Sequence, residues 1–207
     1  MAKRFAAIEP AHQEFIQKQK VFFIASAAAG SRVNVSPKDA ASLRVLDASR
    51  VAYLDQTGSG NETAAHLRAD GRLTLMFCAL EGAPLILRLY GRGSVLPRKS
   101  PEYAEMLASV FDGVEPLGAR QLVVLDVDLV QTSCGYGVPM FDFSSERETL
   151  RRWAEAKGEE GIAAYWQAKN VVSIDGLPTG ILDSLDAQPA VLDDIPPAAQ
   201  EPTKIEL

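Results

Sequence analysis

The feature that most constrains this 207-residue chain is a succession of short apolar or alternating segments, each bounded by glycine, proline or polar turn residues. Residues 21–26 (VFFIAS) are almost continuously apolar, as a buried strand requires. After the tight connection Gly30-Ser31, residues 32–36 (RVNVS) alternate polar and apolar, which predicts a half-buried strand and a hairpin with 21–26. Pro37 is expected to stop that ladder. Further strands are predicted over 50–55, 72–80, 85–96 and 121–132, with Gly91 and Gly93 as bulge or kink positions in the long fifth one.

Helices are predicted between and after these strands. Pro10 suits a first helical turn over 10–20, which places His12 on an exposed face. Asn61 is a suitable N-cap for a helix over 62–70, closed by Gly71. A helix follows over 101–111, then two amphipathic helices near 145–157 and 158–169. Six strands joined mostly by short turns, with helices inserted and appended, predict an α+β fold built on a small antiparallel barrel.

Composition supports one ordered body, residues 1–180, and a separate tail, 181–207. The chain is 47% hydrophobic and 23% charged, ordinary for a folded protein with a real core. Lys and Arg total 21 against 27 Asp and Glu, so the formal net charge is −6. Between Asp183 and Leu207 stand six acids and one base, a net −5, together with four prolines; the rest of the chain carries −1. The tail is expected to be extended, and the near-neutral body argues against a nucleic-acid binder held by bulk charge. No apolar run approaches a membrane span and no segment resembles a signal peptide, so a cytoplasmic location is expected. Cys78 and Cys134 cannot form a disulfide framework or a four-ligand zinc site, and His12 and His66 are the only histidines, so no metal site is expected.

Residues 58–63 (GSGNET) carry the most chemistry. A glycine-rich turn running into a helix N-terminus presents unpaired N–H groups to an anion, and Ser59, Asn61 and Thr63 add short donors. The bland alternative is a loop with a good helix cap. There is no Walker lysine and no dinucleotide fingerprint. Arg32, Asn34 and Ser36 share one strand face, which either lines a ligand or meets solvent, and Lys38 lies just beyond. No Gly-x-Ser-x-Gly elbow accompanies His66. Cys134 has no local base, so it reads as a packing or ligand-lining residue, and Cys78 as core. Residues 170–178 read as a strand or extended arm packed on another surface, a second subunit among the candidates.

The order of these segments resembles the pyridoxamine 5′-phosphate oxidase-like flavoproteins. The resemblance runs through 32–38 (RVNVSPK), 51–55 (VAYLD), 58–63 (GSGNET), 71–77 (GRLTLMF), 88–93 (RLYGRG) and 133–139 (SCGYGVP), and 173–178 (SIDGLP) is similar to an uncharacterised branch. It implies a split barrel forming a homodimer, with FMN at the subunit interface and a small-molecule substrate. Carried over by position, Arg32, Val33, Asn34, Val35, Ser36 and Lys38 run beside the flavin. Tyr53 and Leu54 form the pair on the next strand, Gly60, Asn61 and Thr63 meet the phosphate, and Ser133 and Tyr136 reach the flavin of the other subunit. Oxidases of the family carry Arg-Lys in the phosphate loop where this chain has Glu62 and Thr63. Glu62 is therefore expected to point away or to pair with Arg68 or Arg72.

The implied activity is hydride transfer through FMN with no obligate acid or base side chain. The alternatives are a flavin-binding or stress-related protein without turnover, or the same barrel carrying a deazaflavin or haem.

Overall fold

The computed structural model describes residues 2–184. Among the described residues eight strands form one antiparallel sheet: β1 (Lys3–Phe5), β2 (Val21–Ser26), β3 (Asn34–Asp39), β4 (Leu43–Asp47), β5 (Arg50–Gln56), β6 (Arg72–Cys78), β7 (Ile86–Pro97) and β8 (Ala119–Ser133). Their order is β3-β2-β6-β7-β8-β5-β4, with β1 paired to the far end of β8. Four helices accompany them: α1 (Pro10–Lys18), α2 (Glu62–Ala69), α3 (Pro101–Val110) and α4 (Thr149–Lys169). None is long and apolar enough to cross a membrane.

The sheet curls. β2 and β5 are four places apart in the strand order, yet the rings of Phe22 and Tyr53 meet edge-on with centroids 5.6 Å apart. Phe77 of β6 stacks on Phe22 with ring centroids 5.7 Å apart. Such contacts close only if the sheet wraps into a half-barrel around Phe22, Ile24, Leu75, Leu87, Leu89 and Leu125. α1 contributes Ile16 and α2 contributes Leu67 to this interior.

β5 and β8 are buried on both faces, which explains their near-continuous apolar sequences. Val51 and Tyr53 point into the barrel, whereas Ala52 and Leu54 lie with Leu122 and Val124 beneath Tyr103 and Phe111 at α3. A third cluster joins Ala154, Ile162 and Trp166 of α4 to Ile181, so ordered packing continues just past residue 180. The acidic stretch beyond Ser184 lies outside the described residues.

Eight strands replace the six expected. The additions are short: Lys3–Phe5 covers the end of β8, and Leu43–Asp47 follows one 3₁₀ turn and forms a hairpin with β5. The second strand is also displaced, running from Asn34 to Asp39 with Pro37 paired to Phe23 inside the ladder. Pro37 does not end it because β3 is an edge strand, where a missing N–H leaves no neighbour unsatisfied. The bulge expected in the long strand is present as a register shift between Tyr90 and Gly91. Gly93 packs so closely that a Cβ there would come within 2.8 Å of Leu67 and Leu73. The two C-terminal helices meet at Gly158, whose φ of 64° breaks the helical path. His12 is buried rather than exposed: its ring packs edge-on against Phe5, and Nδ1 accepts from Glu9 N–H at 3.0 Å.

Candidate functional site

One cleft gathers most of the residues singled out in the sequence. It has a cavity of about 650 Å³, bounded by the polar face of β3, the 58–63 loop, α2, the end of α4 and the arm that follows. Arg32, Val33, Asn34, Ser36, Lys38, Gly60 and Thr63 line it, joined by Ser59, Glu62, His66, Arg120, Lys169, Val172 and Ile174.

The alternation of β3 decides which groups face this space. Asn34, Ser36 and Lys38 are half-buried toward the cleft, while Val33 and Val35 are 69% and 61% exposed. Within β3, polar residues inside and Val35 and Pro37 outside invert the usual edge-strand pattern, so the polar face is spoken for by the cleft and the apolar face is left without cover. Asn34 is fixed from both sides: its Nδ2 donates to Thr63 Oγ1 at 3.2 Å, and Ser36 Oγ donates to its Oδ1 at 3.2 Å.

Beneath the loop lies a buried ionic network. The Arg120 guanidinium bonds Asp55 at 2.7 Å, the Gly60 carbonyl at 2.8 Å and Asn170 Oδ1 at 2.8 Å. Lys38 Nζ reaches the second oxygen of Asp55 at 2.8 Å, and Gln121 donates both to Asp55 and to Asn61. Burial pushes the Asp55 carboxyl up, but Arg120 and Lys38 outweigh it and hold the group ionised well below the usual carboxylate range. One carboxylate shared by two cations leaves an excess positive charge under the loop. This is the physical reason the glycine turn keeps its shape: Arg120 clamps Gly60 from below, and Asn170 Nδ2 donates to the Gly58 carbonyl at 3.1 Å.

The arm after α4 folds over the same cleft. Asp175 accepts from the backbone N–H of Arg32 at 2.7 Å and pairs with its guanidinium. Those bonds, the Arg32 backbone N–H first, hold the Asp175 carboxyl low. A bridge between Val172 and Pro178 closes the arm into a short loop. Residues 170–178 thus pack on this chain's own site.

Several expectations need correction. Glu62 pairs with neither Arg68 nor Arg72, which are taken by Asp183 and Asp70; instead its two oxygens accept from Ile174 N–H at 3.1 Å. Asn61 stands at the N-cap of α2 without capping it, because its side chain turns to Gln121 and is 1% exposed. Cys134 is exposed, whereas Cys78 is buried and its thiol is pushed up by burial.

The remaining predicted residues are placed elsewhere. Tyr53 and Leu54 are core side chains on opposite faces of β5. Val35 faces outward. Ser133 ends β8, where its hydroxyl accepts from Arg88 at 3.2 Å, and Tyr136 is 82% exposed beyond it.

Arg120, His66, Lys169, Val172 and Ile174 were not among the predicted contacts. Arg120 is the second residue of the last long strand, two after Gly118, and a charge near the head of an otherwise apolar run was the available signal. His66 Nδ1 is hydrogen-bonded to Ser26 Oγ at 3.0 Å, and its Nε2 is buried with no partner. A cleft with cations on several sides, fixed amide and hydroxyl groups and apolar Val33, Val172 and Ile174 at its mouth can take a ligand with an anionic end and a flat apolar body.

The family profile described as Pyridoxamine 5′-phosphate oxidase matches residues 8–134. The Pyridoxamine 5′-phosphate oxidase family protein ustO of Aspergillus flavus is 40% identical over 183 residues, spanning 80% of this chain and 73% of that one. Among solved structures, a histidine-to-alanine variant of HupZ from Group A Streptococcus aligns with 61% of this chain and 99% of its own at a TM-score of 0.50 and 17% identity, a likeness of fold. An FMN-binding protein from Syntrophomonas wolfei subsp. wolfei covers 63% of this chain and 85% of its own at a TM-score of 0.42 and 14% identity.

Proposed function

We propose that this chain, which belongs to the pyridoxamine 5′-phosphate oxidase family, binds FMN in the cleft between β3, α2 and the C-terminal arm and serves a flavin-dependent oxidoreductase reaction on a small molecule. The observation that carries the reading is the inverted face of β3, where Asn34, Ser36 and Lys38 turn into a cavity of about 650 Å³. That volume falls within the range of about 300–1,000 Å³ typical of small-molecule sites. The fit is chemical as well: apolar Val33, Val172 and Ile174 suit a ring system, and cationic and N–H groups suit its phosphate.

Bound FMN supplies reversible hydride acceptance, and the protein supplies orientation and polarity. Arg32, Asn34, Ser36 and Lys38 would hold the polar edge of the ring. Asn34 is well suited because Thr63 and Ser36 already fix its amide. Gly60 and Thr63 would form the wall of the cleft beside α2, with Asn61 held behind them by Gln121 and Tyr53 and Leu54 in the core of the neighbouring strand.

A homodimer belongs to the same reading. Val35, on the uncovered face of β3, and the exposed Tyr136, Met140 and Phe141 offer apolar surface to a second copy. Ser133 and Tyr136, outside this chain's own cleft, would then serve the partner's.

The test is reconstitution. After FMN is added and excess removed by gel filtration, the proposal predicts flavin absorption at one FMN per chain and bleaching of those bands by NADH or NADPH under nitrogen. Retained flavin that neither nicotinamide reduces would favour a flavin carrier without turnover. A chain that retains haem and not FMN would overturn the reading.

A further inference from the structure

We propose that the anionic end of the ligand is gripped by Lys169 and His66, from α4 and α2, rather than by the first turn of the glycine loop. The inference rests on the proposed cleft for its location. Its support comes from which groups are already committed within the protein.

The obvious anion position is taken by the chain itself. Glu62 folds its carboxylate back over the turn, so that a Cβ on Gly60 would lie 3.1 Å from Oε1. The same carboxylate holds Ile174 N–H, which fixes it there. A phosphate brought to Gly60 would meet a negative charge at contact distance.

The cations of the cleft are also largely spoken for. Arg32 is paired with Asp175, and Lys38 and Arg120 share Asp55. Lys169, at the last turn of α4, lines the cavity and makes no ion pair among the described residues.

His66 gives the independent observation. It is 1% exposed, lines the same cavity, and its Nε2 has no hydrogen-bond partner. Buried polar atoms are rarely left so, and on a residue that lines a cavity such an atom is a candidate to meet a ligand. Ser26 Oγ lies 3.0 Å from Nδ1, and in the tautomer in which that hydroxyl donates, Nε2 carries the proton and is free to donate to a ligand. A mobile ammonium and a fixed imidazole N–H suit a phosphate monoester, one supplying charge and the other direction.

The experiment is equilibrium dialysis of the full chain with FMN and with riboflavin, which lacks the phosphate. Lys169→Met should weaken FMN by about tenfold, the scale of one hydrogen bond to a charged group, and leave riboflavin unchanged. Lys169→Arg should restore most of the loss. His66→Leu, which removes the ring donor, should weaken FMN selectively; if it fails to fold, the Lys169 pair decides alone. Raising NaCl from about 50 to about 500 mM should weaken FMN for the wild-type chain more than for Lys169→Met. Equal losses for both flavins, or no loss for either, would overturn the proposal.

If the wild-type chain binds neither flavin, the flavin reading fails separately. Pyridoxal 5′-phosphate and inorganic phosphate then serve as probes. Binding that Lys169→Met abolishes would uphold the anion grip without flavin, and binding indifferent to Lys169, or none, would end it.

Discussion

Replacing Arg120 with methionine removes the centre of the network beneath the loop while preserving much of the side chain's volume. Three bonds go at once: to Asp55 at 2.7 Å, to the Gly60 carbonyl at 2.8 Å and to Asn170 at 2.8 Å. Breaking a buried ion pair from one side costs about 3–5 kcal/mol, because the remaining charge stays buried. Asp55 keeps Lys38 and Gln121, so the loss should fall at the lower end, about 3 kcal/mol. Against a typical stability of about 5–15 kcal/mol and a urea slope of about 2 kcal/mol/M, the unfolding midpoint should drop by roughly 1.5 M. Adding Asp55→Asn to Arg120→Met removes the stranded charge, so the double variant should be more stable than the sum of the two single losses predicts. The pair also carries a pH signature. Asp55 is held below its unfolded value, so its contribution is fully present above about pH 4 and is lost as pH falls through the folded value. Asp55→Asn should therefore flatten the decline in stability below about pH 4. A loss under about 1 kcal/mol for Arg120→Met, or strict additivity, would refute the network as the loop's support.

Other substitutions probe separate parts of the fold. Gly93→Ala forces a methyl within 2.8 Å of Leu67 and Leu73 and should destabilise by about 1–3 kcal/mol in thermal or urea unfolding. Thr57→Val strands the buried Trp166 Nε1–H, which now donates to Thr57 Oγ1 at 2.8 Å; a loss of about 1–3 kcal/mol and a changed near-ultraviolet tryptophan signal are expected. Asp47, held down chiefly by the Ser49 N–H and then by Arg50, should titrate near a pKa of about 2 by carboxyl NMR and rise toward normal in Ser49→Pro, which removes that donor.

Long, patterned elements were legible in the sequence. The apolar runs of β2, β5 and β8, the helix opened by Pro10 and the break at Gly158 follow from period and punctuation. Lys3–Phe5 was not readable, because three residues, two of them exposed, become a strand only when β8 offers its end. Neither was the burial of His12, which depends on Phe5 arriving through that same pairing. At the site, the polar stripe of β3 and the glycine loop were visible as residue types at the right spacing. Their long-range partners were not: Arg120 is 60 residues from the Gly60 carbonyl it clamps, and Asp175 is 143 from Arg32. Glu62 shows the same limit, since the arginines nearest it in sequence are claimed by Asp183 and Asp70.

Hydrogen–deuterium exchange with and without FMN tests the central claim most directly, because it asks where the ligand sits. A second cavity of about 920 Å³, lined by Phe15, Cys78, Leu80 and Phe143, provides an internal alternative. The account predicts slowed exchange at residues 32–38, 58–66 and 169–175, with residues 78–83 and 141–144 unchanged. Protection at 78–83 and 141–144 without change at β3 and the glycine loop would contradict it.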